Sequence, residues 1–308
     1  MMARRPLVRS ILTAVLTTGL GACATLSPDG GEQAVREAAA QRLGLPVAVS
    51  ADTETLVKRR DELLSRELDS DAAVTLALLN NPALQRLFAE LRLSDAEIVA
   101  ASRLPNPRLS LGRLRQGGER EVDRAATLDL IGLLTTPVRA ALGKQRLETE
   151  RLAAQQSMLA LARETRQAWV DAVTARQRAA YADDILTAAE AGRTLAQRLA
   201  TLGNVSRLDA AREQAFHAEA VARKARADTE TLRAHERLVR LLCVNDPATV
   251  RLPGQLPAMP ATPRAAADAE QQALDRRLDV LSARQQAEAT ARALHLTRVT
   301  RFINVLEL

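Results

Sequence analysis

The chain has 308 residues and a formal net charge of +6; 47% of its residues are hydrophobic but only 2% are aromatic. Charges of both signs are interspersed, and few aromatic rings are present to stack on bases, so no nucleic-acid partner is expected. Aromatic core residues are scarce and alanine is common, a composition typical of closely packed helices rather than of a large globular interior.

The N-terminus resembles a bacterial lipoprotein signal. Three arginines precede the apolar segment Ile11–Leu20, which is too short to span a bilayer as a helix. The small residues before Cys23 resemble a lipobox, which implies that residues 1–22 are removed and that Cys23 is acylated. Loss of Arg4, Arg5 and Arg9 would lower the formal charge from +6 to +3. An alanine rather than an aspartate after the cysteine implies the outer membrane; a plain secretory signal with a chance cysteine is the alternative.

Three short helices are predicted next. Residues 23–70 form a polar lead-in with a helix over Asp52–Leu68, and further helices cover Asp71–Leu79 and Pro82–Arg103. Asn81 is a predicted N-cap, because its side chain can accept from the first free N–H groups while Pro82 occupies the first helical position.

After residue 107 the apolar period changes from that of a helix to two, which predicts a β-hairpin over residues 106–134. Its first strand contains Leu109 and Leu111, its turn lies at Gly117-Gly118, and its second strand is predicted over Thr127–Leu134. Each arm is about ten residues long, the length of a tilted transmembrane β-strand. A small soluble hairpin is the alternative.

Two very long helices are predicted over residues 138–201 and 206–243, joined by the interruption Leu202–Ser206. The first would be roughly 95 Å long at the usual rise per residue. Residues from Leu208 to Cys243 recur at spacings of three and four, which predicts a left-handed coiled-coil seam. Cys243 would then be a small buried hydrophobic residue on that seam.

The C-terminal part is predicted to begin a repeat of the preceding one. Residues 247–263 form a proline-rich linker, and helix resumes from about Ala265 to about Arg298. The order of elements over Arg276–Leu308 repeats that over Asn80–Gly112, so residues 71–246 are a first structural repeat and residues 264–308 the incomplete start of a second. The expectation is a chain truncated within its second repeat; a complete protein with a helical cap is the alternative.

The sequence contains no recognisable catalytic constellation. Its three histidines are scattered without metal-ligand spacing, and no glycine-rich phosphate loop or nucleophile elbow is present. We therefore expect neither an enzyme nor a cofactor or metal site.

Together these features resemble the TolC-like outer-membrane efflux proteins. The match covers about Asp71 to the C-terminus and is carried by one recurrent phrase: Ala77, Asn81-Pro82, Leu84, Glu90, Ala96, Ile98, Ala101, Ser102 and Pro105-Asn106-Pro107. The resemblance implies a mainly α fold with a small β part, in which a long antiparallel helical hairpin forms an α-barrel segment. It also implies a homotrimer whose β-hairpins contribute to one transmembrane β-barrel.

The tip of the long hairpin can be compared with the family residue by residue. The family's glycine and aspartate, which are separated by five residues, correspond to Gly203 and Asp209; this implies that the tip docks on a periplasmic adaptor protein. The candidate docking residues are Gly203, Asn204, Val205, Ser206, Arg207, Leu208 and Asp209. The alternative is that they only form a stable turn.

The function implied is a passive exit duct for small molecules or metal ions across the periplasm and outer membrane. Its partners would be the adaptor, an inner-membrane pump and outer-membrane lipid. The alternatives are a periplasmic adaptor, a structural coiled-coil lipoprotein, or a non-functional fragment of the duct.

Overall fold

Helices dominate the chain, as the sequence predicts. The computed structural model describes residues 29–45, 53–103, 106–116, 119–259, 274 and 276–300. The described elements, in chain order, are α1 (Glu32–Leu43), α2 (Thr53–Leu64), α3 (Ser70–Asn80), α4 (Pro82–Ala101), β1 (Arg108–Gln116), β2 (Glu119–Thr127), α5 (Leu130–Thr201), α6 (Arg207–Leu242) and α7 (Leu278–Thr300). The predicted class, mainly α with a small antiparallel β part and one long helical hairpin, is confirmed.

The short helices begin at side-chain caps. The Asp69 carboxylate accepts from the Ala72 N–H at 2.7 Å and starts α3. The Asn81 side chain accepts from the N–H groups of Ala83 (2.9 Å) and Leu84 (3.3 Å) at the start of α4. The predicted Asn81 cap is therefore confirmed.

The second strand of the hairpin differs from the prediction. Strands β1 and β2 pair in antiparallel register from Arg108 opposite Thr127 to Gln116 opposite Glu119. Only two residues lie between the paired ends Gln116 and Glu119, and two-residue loops are the commonest hairpin connections. The second strand therefore begins at Glu119, eight residues earlier than predicted. The expected strand over Thr127–Leu134 is wrong, since the strand ends where that segment was to begin.

The first long helix also starts earlier than expected. Helix α5 has 72 residues and begins at Leu130 rather than Val138, with Pro137 inside it. The Asp129 carboxylate accepts from the Gly132 N–H at 2.7 Å and so caps the new start. Pro137 removes one helical hydrogen bond, while the Thr136 hydroxyl donates to the Gly132 carbonyl at 2.6 Å beside it. A proline near the first turns therefore does not mark the helix start here.

The chain divides into two compact units. The first comprises residues 1–35, 86–156 and 268–308, and the second comprises residues 36–85 and 157–267. In the first unit, Gln145 on α5 donates to the Gln285 carbonyl on α7 at 3.0 Å. A side chain at Gly143 would lie 3.0 Å from Ile98, so glycine permits the close approach of α4 and α5.

The second unit contains the main hydrophobic core. Trp169 of α5 packs there, and its indole N–H donates to the Leu68 carbonyl at 2.7 Å. Asn80 at the end of α3 donates to the Leu242 carbonyl at 3.2 Å, at the end of α6. Val250 and Leu252, in the segment after α6, are also buried in this core. The region predicted as a linker thus begins as a packed part of the second unit.

The long helices of the second unit run antiparallel, but through a face other than the predicted one. Thr231 donates to the Ala175 carbonyl at 3.1 Å, and Lys224 lies 3.7 Å from Asp183. The face of α6 toward α5 contains Ala220, Ala234 and Leu238, all buried. Most residues of the predicted seam are exposed instead, among them Leu208, Ala211, Ala215, Ala218, Ala225, Thr229 and Leu232.

The C-terminal predictions are tested only in part. Helix α7 begins at Leu278, and the part of the predicted helix over residues 265–273 lies outside the described residues. Residues 301–308, the end of the predicted repeat, lie outside them too.

The candidate docking tip

Helix α5 ends in a glycine-dependent turn. The Asn204 N–H donates to the Leu199 carbonyl at 2.9 Å and the Gly203 N–H to the Ala200 carbonyl at 3.2 Å. Gly203 adopts a φ of +77°, the left-handed conformation that lets a helix terminate in this manner. No atom lies within 4 Å of where its Cβ would be, so backbone conformation rather than space requires glycine here.

Helix α6 starts with a reciprocal cap. The Ser206 hydroxyl accepts from the Asp209 N–H at 3.1 Å and donates to the Asp209 carboxylate at 2.7 Å. The other Asp209 oxygen lies 3.2 Å from the Arg212 guanidinium. Ser206 is therefore the N-cap of α6, and the Asp209 carboxylate is held by Ser206 and Arg212.

Arg207, unlike Ser206 and Asp209, takes no part in the cap of α6. It is exposed and occupies the first position of α6. Cations at helix N-termini are disfavoured by the helix dipole, by about 0.3–1 kcal/mol. Arg207 is not part of the cap, which distinguishes it from Ser206 and Asp209.

Two leucines flank the turn and remain open to solvent. Leu202 is 73% exposed and Leu208 is 61% exposed, while Val205 between them is half-buried. Asn204 is exposed as well. The seven predicted docking residues occupy the turn between the two helices and the first residues of α6. Their exposed groups include the Asn204 amide, the Arg207 guanidinium and the Leu208 side chain.

The other singled-out residues do not join this turn. Cys243 is not on a buried seam but follows α6 as its C-cap, with a left-handed φ of 52°. Partial burial raises the pKa of the Cys243 thiol, which favours its neutral form. Cys23 lies outside the described residues.

The described residues contain neither a metal-binding cluster nor a membrane-spanning helix. Among them, no three or more His, Cys, Asp or Glu side chains are grouped so as to hold a metal ion. Within the described helices, none combines the length and the apolar character that crossing a bilayer requires.

Comparison with known proteins identifies the fold through solved structures. No family model matches the chain, and no curated protein matches it either. The outer-membrane channel OprN is similar over 77% of this chain and 56% of its own, at a TM-score of 0.59 and 23% identity. The CmeC outer membrane channel of Campylobacter jejuni is similar over 82% of this chain and 58% of its own, at a TM-score of 0.60 and 16% identity.

A membrane protein from Pseudomonas aeruginosa gives a similar result, covering 76% of this chain and 56% of its own at a TM-score of 0.58 and 22% identity. The chain thus spans a little over half the length of each of these structures. The resemblance seen in the sequence is confirmed as a likeness of fold, and over the matched part the chain has the fold of the outer-membrane channels OprN and CmeC.

Proposed function

We propose that the chain is a subunit of an outer-membrane exit duct in a tripartite efflux system. The observation that carries the proposal is the long antiparallel α5–α6 hairpin, whose fold is that of outer-membrane channels and whose tip is exposed. The duct is a passive conduit for small molecules or metal ions. Its energy comes from an inner-membrane pump, so the chain itself needs no catalytic residues.

The tip is the proposed contact with a periplasmic adaptor. Ser206 and Asp209 hold the turn in one conformation through the reciprocal cap. Leu202, Leu208 and Arg207 are then presented to solvent by a rigid support. A backbone that is already ordered loses little entropy on binding, which suits a docking surface.

The membrane end of the duct is the β1–β2 hairpin. Leu109 and Leu111 are each 76% exposed, and Val122 across the pair is 50% exposed. A two-stranded sheet has two unpaired edges, and open edges are not tolerated in lipid. The hairpin would therefore pair with hairpins of other copies, as in the homotrimeric barrel that the family resemblance implies.

Fractionation of cells that produce the chain tests this proposal. We expect the protein in the outer-membrane fraction as a detergent-resistant oligomer, with palmitate label that is lost in the variant Cys23→Ala. A lipid-labelled protein in the inner-membrane fraction would contradict the duct and favour an adaptor or structural lipoprotein. Unlabelled protein in the outer membrane would leave the duct in place and contradict only the lipid anchor.

A further inference from the structure

The two faces of the β1–β2 hairpin differ in composition. Side chains alternate between the faces along each strand, and directly paired residues share a face. One face contains the exposed side chains of Leu109, Leu111 and Val122, and we call it the leucine face. The opposite face, over the part of the hairpin whose side chains are described, is small and polar: Arg108, Ser110, Gly112, Asp123, Ala125 and Thr127.

Two arginines lie next to each other on the leucine face. Arg113 follows Leu111 by two residues, and Arg124 is paired directly with Leu111. The two arginines are therefore diagonal neighbours across the strands, with their Cα atoms about 7–8 Å apart. Both are exposed, and neither guanidinium forms a hydrogen bond or an ion pair with another described residue.

No described carboxylate of the hairpin neutralises these two arginines. Among the described side chains of β1 and β2, Asp123 is the only acidic one, and its pairing with Gly112 places it on the opposite face. Two adjacent cations repel each other, and an anion bound between them removes that repulsion. Guanidinium groups bind phosphate oxygens through paired, charge-assisted hydrogen bonds. Arg113 and Arg124 thus offer a phosphate site beside an apolar surface.

The leucine face is the one suited to lipid. Transmembrane barrels alternate apolar residues that face lipid with polar residues that face the interior. By that rule the leucine face points outward in the proposed duct, and the face with Ser110 and Asp123 points inward. An outward arginine is costly near the bilayer midplane but costs little near the headgroups. The level of the lipid phosphates is therefore the favourable place for Arg113 and Arg124, with Leu109 toward the hydrocarbon.

We propose that Arg113 and Arg124 bind the phosphate of an anionic membrane lipid whose acyl chains lie along Leu109, Leu111 and Val122. The inference rests on the proposed duct, because a hairpin in the membrane presents this face to lipid. A soluble phosphate ion would match the arginines alone, whereas an anionic lipid matches the arginines and the leucines together. The uncompensated positive charge also favours anionic over zwitterionic headgroups.

Lipid titration of the detergent-solubilised full chain, followed by native mass spectrometry, tests this site. We expect phosphatidylglycerol to bind about tenfold more tightly than phosphatidylcholine, the order of one charge-assisted hydrogen bond. The double variant Arg113→Gln/Arg124→Gln should lose this preference and retain the affinity for phosphatidylcholine, which also shows that it is folded.

Arg108→Gln is the matched control for the double variant. Arg108 is an exposed arginine of the same hairpin, but it lies on the opposite face. We expect the control to keep the preference for phosphatidylglycerol. A preference that survives in the double variant, or one that is lost equally in the control, would overturn the site.

Inorganic phosphate separates a lipid from a soluble anion as the occupant. At the same concentration as phosphatidylglycerol it should displace little of the bound lipid, because it makes no contact with the leucines. Complete displacement would show that the site takes a soluble anion, and the lipid would be the wrong occupant.

Cysteine labelling tests which face meets the lipid. In membranes, Leu111→Cys should react slowly with a charged, membrane-impermeant maleimide, and Ser110→Cys on the opposite face should react quickly, both with Cys243→Ser. Equal rates, or faster labelling at position 111, would place the leucine face in water and contradict the lipid site.

The two proposals fail separately. If the protein is an oligomer of the outer membrane but the double variant binds lipid as the unchanged chain does, the duct stands and the lipid site is wrong. If the protein fractionates with another membrane and its lipid preference still depends on Arg113 and Arg124, the site stands and the duct is wrong.

Discussion

The base and the arm of the α5–α6 hairpin are built from different residues. At the base, Trp169, Val173, Leu238 and Leu242 are buried together with residues of α3. Along the arm between the base and the tip, the buried side chains of these two helices are alanines: Ala182, Ala189, Ala196 and Ala220. The base supplies most of the apolar burial that holds the second unit together, whereas the arm leaves its large side chains outside.

The base and the arm therefore differ in how much they stabilise the chain. Contacts between alanines bury little apolar area. The contacts between α5 and α6 along the arm therefore add little to the free energy of unfolding. The exposed large residues of the arm, Tyr181 and Leu195, are available for contacts with other helices. The base therefore provides most of the stability of the second unit, and the arm provides little of it.

The largest expected effect is at the base. Trp169→Ala removes a buried ring and the hydrogen bond to Leu68, and should lower the free energy of unfolding by about 3–5 kcal/mol. Tyr181→Ala on the arm should change it by less than about 0.5 kcal/mol in the unassembled chain. Urea unfolding below the assembly concentration measures both, and equal effects would refute the distinction between base and arm.

The next effect concerns the turn at the tip. Gly203→Ala should cost about 1–2 kcal/mol, because its φ of +77° is unfavourable for any residue with a Cβ. Gly254→Ala is the matched control, since its surroundings are equally open but its φ is not in the left-handed region. A comparison of unfolding free energies checks this, and a cost shared by both variants would show that the turn conformation is not the cause.

A smaller effect is expected at the cap of α6. Ser206→Ala removes the hydroxyl that accepts from Asp209 and should destabilise the chain by about 1 kcal/mol. Ser206→Asn preserves a capping oxygen and should cost only a few tenths of a kcal/mol. Hydrogen exchange of the first amides of α6 reports the cap directly; unchanged protection in Ser206→Ala would mean that the hydroxyl is dispensable.

The smallest expected effect is on the reactivity of the Cys243 thiol. The raised pKa of the Cys243 thiol shifts formation of the reactive thiolate to higher pH. Between pH 7 and 9, Cys243 should thus react with iodoacetamide more slowly than a cysteine placed at exposed Asn204 in the variant Asn204→Cys. Unfolding the chain should abolish the difference, and a Cys243 rate as fast as that of the tip cysteine in the folded chain would contradict the role of burial.

Local signals predicted the ends of elements well. Asn81, Pro82 and Ser206 act through their immediate neighbours, so their roles could be inferred from the sequence alone. The prediction for the second β-strand is wrong because alternating residues after Thr127 suggest a strand, whereas the residues that pair with β1 are Glu119–Thr127. The start of α5 was placed too late, because the helix begins at Leu130 and contains Pro137 within its early turns.

Periodicity predicted a seam on α6 but not its partner. Two faces of α6 have coiled-coil spacing. The sequence pattern assigns the seam to the face with fewer polar residues. The face that contacts α5 includes Glu213, Lys224 and Thr231. Because these side chains are polar, the hydrophobic pattern of the sequence does not identify this face as a packing surface. Sequence period identifies a packing surface, but only the structure shows which of the two faces packs within the chain.

Site-specific cross-linking in cells tests the account's central claim most directly. Asn204→Cys and Arg207→Cys at the tip would be compared with Asn245→Cys at the base, an exposed asparagine of the same hairpin, all with Cys243→Ser. We expect the tip cysteines to cross-link to the hairpin tips of a periplasmic adaptor and the base cysteine not to do so. Adaptor cross-links that arise only from cysteines in the Leu109–Leu134 region, with none from the tip, would contradict the docking role of Gly203–Asp209.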